Sequence, residues 1–171
     1  MAVTYKLIET VTVGSGGAAS IEFTSIPQTY TDLQVVASLR SNRANIVDAF
    51  YMAVNGGTTT SVIRVIYGSG TSASAFTLTV TGLWLLDGNG NTTTANIFSS
   101  HSLYVPNYTG STTKSFSSDA VMEDNATFSY QEYGAGLWTQ TAPITSLEIV
   151  SYNAATILQY SSASLYGIKN S

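Results

Sequence analysis

A two-residue alternation of apolar and polar side chains constrains the fold of this chain more than any other feature. It begins in residues 5–26, where two alternating runs flank a segment of small residues. Successive side chains of a β-strand point to opposite faces, so each run predicts a strand with one apolar face. The segment Gly14-Ser15-Gly16-Gly17 predicts the turn that joins the two strands into a β-hairpin. The apolar face of this hairpin would be formed by Tyr5, Leu7, Val11, Val13, Ala19, Ile21 and Phe23.

The same rhythm recurs along the chain and predicts about ten to twelve short strands with no helix. Beyond the hairpin, we place strands at 32–39, 47–54, 62–67, 75–86, 95–105, 114–122, 126–133, 146–152, 156–160 and 163–168. Residues 47–54 are apolar on both faces, which favours a doubly covered central strand. Gly82 would form a bulge within 75–86, and the segments 146–152 and 156–160 would pair as a second hairpin.

Short strands separated by turn signals favour an all-β fold. We therefore predict one antiparallel β-sandwich domain of jelly-roll type over residues 1–171, with a closed barrel as the second choice.

Composition narrows the function mainly by exclusion. The 171 residues include no cysteine, and only 9% are charged, with a net charge of −4. The lack of cysteine excludes disulfides and thiolate metal sites, and six basic residues argue against a nucleic-acid surface. No apolar run is long enough to span a membrane, and no leader pattern is present. A surface of hydroxyls costs less to desolvate than a charged one, so it favours burial against neighbouring subunits. Threonine-rich sheet exteriors give the same composition.

Few residues suggest chemistry, and each has a simpler structural explanation. His101 is the only histidine and lies within a predicted strand, without a second feature that points to a Ser-His-acid site. Asp87, Asn89 and Asn91 match the opening of a calcium loop, but Phe98 stands where the closing glutamate belongs, and hairpin loops favour the same residues. The acidic residues Asp119, Glu123 and Asp124 are typical of a solvated turn. We therefore predict no catalytic residue, no metal site and no cofactor.

Binding residues are easier to propose than catalytic ones. Trp84 lies on the apolar face of an alternating run, which predicts a core position. Trp138 follows Gly134 and Gly136 in a predicted loop, 134–143, and is the better candidate for an exposed aromatic contact. Arg40 and Arg43 share the polar loop 40–45 and could hold an acidic neighbour, although solvated arginines contribute little. The candidate interaction residues are Arg40, Arg43, Asn89, Asn91 and Trp138.

Two segments of the chain resemble a known group of proteins. The opening, residues 8–33, and the ending, residues 162–168, together with the PQTYTDLQVVASLRS run and the Asn55-Gly56-Gly57 turn, carry this resemblance. The chain resembles small β-sandwich virion structural proteins of tailed phages, including cyanophages, which are capsid decoration (cement) proteins or tail-fibre and knob proteins. None of the matching positions is catalytic, so the resemblance implies no active site and no enzyme.

The resemblance implies virion membership, and we expect a capsid decoration protein. It would be made in the host cytoplasm and would sit on the capsid surface as a homotrimer that contacts the major capsid protein. A first strand that begins by Tyr5 favours this over a tail fibre, which needs a shaft. The alternative is a tail-fibre, knob or receptor-binding tip that recognises host surface glycan through loops 40–45, 87–94 and 134–143. A glycan-cleaving enzyme is disfavoured because no acid pair stands at a recognisable spacing.

Overall fold

The computed structural model describes residues 4–169, and within them all regular structure is β. The alternating runs form twelve strands, because each can bury its apolar face while its polar face stays in water. The strands are β1 Tyr5–Thr12, β2 Ser20–Phe23, β3 Asp32–Leu39, β4 Val47–Val54, β5 Thr60–Ser69, β6 Ser72–Thr81, β7 Leu83–Asn89, β8 Ser99–Val105, β9 Lys114–Glu123, β10 Ser129–Trp138, β11 Leu147–Ser151 and β12 Ser162–Ile168. No helix among the described residues is long and apolar enough to cross a membrane.

The strands form two antiparallel sheets of unequal size. The large sheet has the order β1-β12-β3-β8-β9-β10-β5-β6, and the small sheet has the order β2-β11-β4-β7. The chain alternates between β1-β12-β3-β8 and β2-β11-β4-β7 in the pairing order of a jelly roll. The remaining strands are two inserted pairs, β5-β6 and β9-β10, which extend the large sheet beyond the jelly-roll core. The predicted all-β sandwich of jelly-roll type is confirmed.

The core lies between the two sheets and is built from the inward positions of both. The bounds of β3 and β4 agree with the prediction, and Leu33, Val35 and Ala37 face inward as the alternation predicts. Burying a large apolar side chain contributes about 1.5–3 kcal/mol, so this layer supplies most of the favourable energy. β4 lies between β11 and β7, and its outward side chains are only partly buried. Side chains that are almost fully buried include Phe23, Phe50, Met52, Leu83, Ile149 and Leu165.

The predicted N-terminal hairpin is wrong. β1 pairs with β12 in the large sheet, whereas β2 pairs with β11 in the small sheet. Alternation identifies an apolar face but not a pairing partner, and both strands cover the same core from opposite sides. A register shift between Leu7 and Glu9 also reverses the faces of β1. Tyr5 and Leu7 are therefore exposed on the outside of the sheet, whereas Val13 is buried.

The predicted single strand 75–86 is two strands in different sheets. The chain changes sheet at Gly82, which has a φ of 63°. A side chain there would collide with the Met52 carbonyl oxygen, so only glycine fits this corner. Beyond it, β7 continues through Asp87 and Asn89, so the predicted loop 87–94 begins only after Asn89. The next strand starts at Ser99 rather than at residue 95.

The predicted loop 134–143 begins as a strand. β10 runs from Ser129 to Trp138, and Trp138 is only 2% exposed. Gly134 and Gly136 suggested a turn, but they are needed because neighbouring side chains approach the backbone. A side chain at Gly136 would collide with the Phe116 ring. The proposal that Trp138 is an exposed contact is therefore wrong.

The predicted hairpin of 146–152 with 156–160 is also wrong. β11 ends at Ser151, and the following residues cross from the small sheet to the large one. Ile157 makes isolated bridges to Ala18 and Ser41 in place of a strand pairing. Ile157 is buried, so the apolar residue that suggested a strand anchors a crossing loop instead.

Candidate interaction surface and interior acid pair

The outer face of the large sheet is the broadest surface that the fold presents. Eight strands spaced by about 4.8 Å give a width of roughly 34 Å, and strands of this length span roughly 25 Å. The face therefore covers roughly 800 Å², which is the area that one partner contributes to a standard protein–protein interface. It is formed by every second residue of the eight strands, because the other residues face the core.

The side chains of this outer face are mainly hydroxyl-bearing or apolar. Serine lines β8, β9 and β12, and threonine lines β6. Among its exposed outward side chains that the structure describes, charge is carried by Arg64, Asp119 and Glu123. Exposed apolar side chains cluster on β5, β9 and β10, where Tyr133 is directly opposite Ile66 and Leu137 is opposite Val62. The exposed apolar side chains of this face are Tyr5, Leu7, Val36, Val62, Ile66, Val121, Tyr133 and Leu137.

Four of the five predicted interaction residues meet at one end of the sandwich. Arg40 forms a parallel bridge with Asn89, and the backbone amide of Asn91 donates to the Arg43 carbonyl over 2.7 Å. Arg40 and Asn89 are buried, Arg43 is partly buried and Asn91 is exposed. Trp138 lies at the other end of the large sheet, where it pairs with Lys114 and Ser61. The three predicted loops therefore do not form one surface.

Arg40 organises the segment between β7 and β8. Its guanidinium donates to four backbone carbonyl oxygens, those of Asn91 (3.3 Å), Thr93 (3.0 Å), Thr94 (2.5 Å) and Ile97 (3.1 Å). These bonds use donors that a phosphate or carboxylate ligand would need. Arg40 is therefore a structural residue rather than a free anion binder.

A groove of about 250 Å³ lies beside this arginine. Its walls combine aromatic rings with side-chain amides, which are the groups that stack on and hydrogen-bond to sugars. Tyr160 is 66% exposed and forms one wall. The other polar and aromatic residues of the groove are Asn91, Asn96, Phe98 and Gln159.

The structure also brings together two carboxyl groups that sequence analysis did not connect. Asp87 on β7 and Glu132 on β10 belong to different sheets, and the Asp87 backbone N–H donates to Glu132 Oε2 over 2.7 Å. β7 is an edge strand, so this N–H would otherwise lack a sheet partner. A cavity of about 210 Å³ adjoins the pair and is lined by Asp87, Glu132, Tyr67, Phe76 and Tyr130.

The environment of this pair opposes ionisation. Desolvation and the nearby Asp87 raise the pKa of Glu132 to about 7. Desolvation and repulsion by Asp48 raise the pKa of Asp87 to about 6, although Arg43 acts in the opposite direction. The two groups therefore change charge near neutral pH, which is unusual for carboxyls and is a feature of functional sites. The inward position of Glu132 in an alternating strand was the available sequence signal, but nothing in the sequence indicated its proximity to Asp87.

The other candidate residues named from the sequence have structural roles in the fold. His101 is buried, with Nε2 2.7 Å from Ser99 Oγ and Nδ1 2.7 Å from the Leu85 carbonyl oxygen. Desolvation lowers its pKa to about 4, so it is neutral and joins the two sheets. Asn89 Nδ2 donates to the Glu123 carbonyl oxygen over 2.7 Å. Within residues 4–169, no group of three or more His, Cys, Asp and Glu side chains is placed to hold a metal ion.

Comparisons with known proteins add nothing to the fold class that the structure itself shows. No protein-family model matches the chain, and we found no match among curated proteins or solved structures. The structure therefore defines a jelly-roll β-sandwich with an extended sheet, and function must be argued from its surfaces.

Proposed function

We propose that this protein is a virion structural protein, specifically a capsid decoration protein that binds the assembled shell. The proposal is carried by the composition of the outer face of the large sheet. This face is broad, has few charged side chains and exposes several apolar side chains. The resemblance of both chain ends to small phage virion proteins supports the same assignment. Jelly rolls occur in viral capsid proteins, which makes the fold compatible with this role.

Docking through this face is energetically reasonable. Burying an unpaired charge is costly, whereas burying a hydroxyl that finds a hydrogen-bond partner is not. The few charges on the outer face therefore keep the cost of docking low, and its apolar cluster supplies a favourable contribution of about 25 cal/mol per Å² buried. A protein that binds only the assembled lattice stabilises that lattice by mass action. In the arrangement we propose, three copies sit where capsomers meet and contact the major capsid protein.

A pair of tyrosines tests which surface docks. Tyr133 is 63% exposed on the outer face, between Ile66 on β5 and Asp119 on β9, whereas Tyr160 is 66% exposed in the groove at the sandwich end. Tyr133→Asp should weaken co-sedimentation with shells lacking the protein by about tenfold or more, because large aromatic side chains carry much of the binding energy of an interface. Tyr160→Asp has nearly the same exposure and should bind as the wild type. Equal binding by all three proteins would contradict docking through the outer face.

A receptor-binding tip is the second candidate function, and the groove beside Arg40 favours it. The exposed ring of Tyr160 and the amides of Asn91, Asn96 and Gln159 could hold a host surface glycan. In this case Tyr160→Ala should abolish binding to host glycan, and Tyr133→Ala should leave it intact. Failure of the wild-type protein to bind any glycan prepared from the host surface would exclude this function.

A further inference from the structure

The cavity beside Asp87 and Glu132 has the composition of a cation site. It lies where the overhanging strands β5 and β6 pass the edge of the small sheet. Its volume of about 210 Å³ is far above the roughly 15 Å³ that one water molecule needs. The cavity therefore has room for a small organic group.

The carboxyl groups of the cavity retain unused hydrogen-bonding capacity. Glu132 is only 4% exposed, yet within residues 4–169 its single side-chain hydrogen bond is the one that Oε2 accepts from the Asp87 N–H. No donor among the same residues reaches Glu132 Oε1 or the Asp87 carboxylate. Both carboxyl groups line the open cavity, so a ligand that enters it can donate hydrogen bonds to their free oxygens.

The other walls of the cavity are aromatic and already packed together. The Tyr67 ring lies 5.6 Å from the Phe76 ring and 5.8 Å from the Tyr130 ring, measured between centroids. Tyr67 is also directly opposite Glu132 in the sheet. The faces of aromatic rings carry partial negative charge and attract cations, most strongly where water is excluded.

The surrounding charges leave the cavity with an excess of negative charge. Asp48 on β4 is buried behind Asp87 and accepts hydrogen bonds from Ser151 (2.7 Å) and Asn153 (2.8 Å). Arg43 is the cation that acts on Asp87, and its Nη1 donates to the Val47 carbonyl oxygen and lies 3.9 Å from Asp48. The other titratable groups around the acid pair are the phenols of Tyr67 and Tyr130.

We propose that this cavity binds an alkylammonium group, a positively charged nitrogen with carbon substituents such as a lysine side chain carries. The N–H groups of the ammonium would donate to the free oxygens of Asp87 and Glu132, and its carbon substituents would contact Tyr67, Phe76 and Tyr130. A neutral sugar would not offset the negative charge. Calcium and magnesium ions prefer six or more oxygen ligands and would leave the aromatic walls unused.

Cation binding should be coupled to proton release. Without a cation, the raised pKa values of Asp87 and Glu132 keep part of the pair protonated near neutral pH. A bound cation favours the ionised form, lowers both pKa values and displaces protons. Binding should therefore tighten by about tenfold or more between pH 5 and pH 8.

The test is a titration of the full chain with n-butylammonium chloride at constant ionic strength, followed by NMR, with tetramethylammonium chloride as a matched cation that has no N–H to donate and should bind more weakly. Shifts should map to Tyr67, Asp87 and Glu132 and should strengthen as the pH rises. Glu132→Gln keeps the shape and the acceptor for the Asp87 N–H, and should weaken binding by about tenfold. Glu9→Gln removes an exposed carboxylate on β1 and should leave binding unchanged.

Several outcomes would overturn the proposal. These are no saturable shifts with n-butylammonium, unchanged binding by Glu132→Gln, or calcium binding without ammonium binding. Because the proposal does not depend on virion membership, it stands or falls separately from the decoration function.

Discussion

Replacing Glu132 by glutamine should remove part of the dependence of the unfolding free energy on pH. The pKa of Glu132 rises from 4.5 to about 7 on folding, mainly because the side chain is desolvated. The folded protein therefore binds this proton more tightly than the unfolded chain does. The corresponding stability is present at low pH and is lost as the pH rises from about 4.5 to about 7.

The magnitude follows from the pKa change. One pKa unit corresponds to about 1.4 kcal/mol, so ionisation of Glu132 disfavours the folded state by about 3 kcal/mol. About 2 kcal/mol of this loss falls between pH 5 and pH 8. Glutamine cannot ionise, but its side-chain carbonyl can still accept the hydrogen bond from the Asp87 N–H. The difference in unfolding free energy between Glu132→Gln and the wild type should therefore move in favour of the variant by about 2 kcal/mol across this range.

The comparison with a variant is necessary because His101 titrates in the opposite sense. Its pKa is lowered to about 4 in the folded protein, so stability from the neutral imidazole is lost as the pH falls from about 6.5. The two effects overlap between pH 4.5 and 6.5 in the wild type, and subtraction of the variant removes the contribution of His101.

The assay is urea unfolding of the wild type, Glu132→Gln and Glu9→Gln at pH 5, 6, 7 and 8. The Glu9→Gln curve should run parallel to that of the wild type, because this carboxylate is exposed. If Glu132→Gln also runs parallel, Glu132 ionises freely in the folded protein and our account of the acid pair is wrong.

Three further predictions concern the loop, the sheet corner and the outer face. Arg40→Met should lower the unfolding free energy by about 3 kcal/mol and speed hydrogen exchange in residues 90–98, because four carbonyl oxygens lose their donor; exchange unchanged there would contradict the organising role of Arg40. Gly82→Ala should lower the unfolding free energy by at least about 3 kcal/mol, whereas Gly70→Ala, also at positive φ but with open space around it, should lower it by about 1 kcal/mol. Equal losses measured by urea unfolding would contradict the claim that only glycine fits where the chain changes sheet. Tyr133→Asp should reduce shell binding without changing the melting temperature, since its side chain faces solvent; a large drop in melting temperature would place the ring in the core.

The sequence predicted strands well because alternation reports which side of a strand is buried. It did not predict partners, and the N-terminal ribbon shows why: β1 and β2 each satisfy the same pattern whether they pair with each other or face each other across the core. Glycine was ambiguous for a similar reason. At Gly82 the chain passes from the large sheet to the small one, whereas Gly136 makes room for the Phe116 ring within a strand. The sequence alone does not distinguish these two roles of glycine.

The candidate site was less predictable than the fold. Arg40, Arg43, Asn89 and Asn91 were grouped in two loops, and the structure brings these loops together, but most of their polar groups hold the chain rather than a ligand. Asp87 and Glu132 are 45 positions apart and meet only because β7 crosses the inserted strand β10. Contacts between sheets of this kind depend on packing geometry, which alternation does not encode.

The proposed virion role is tested most directly by the copy number of the protein in purified particles of the phage that we propose encodes it. Quantitative mass spectrometry against the major capsid protein would provide it. A decoration protein should be present in numbers comparable to the capsomers, and shells stripped of it should break at a lower temperature. A copy number typical of a tail tip, or absence from the particle, would contradict the account.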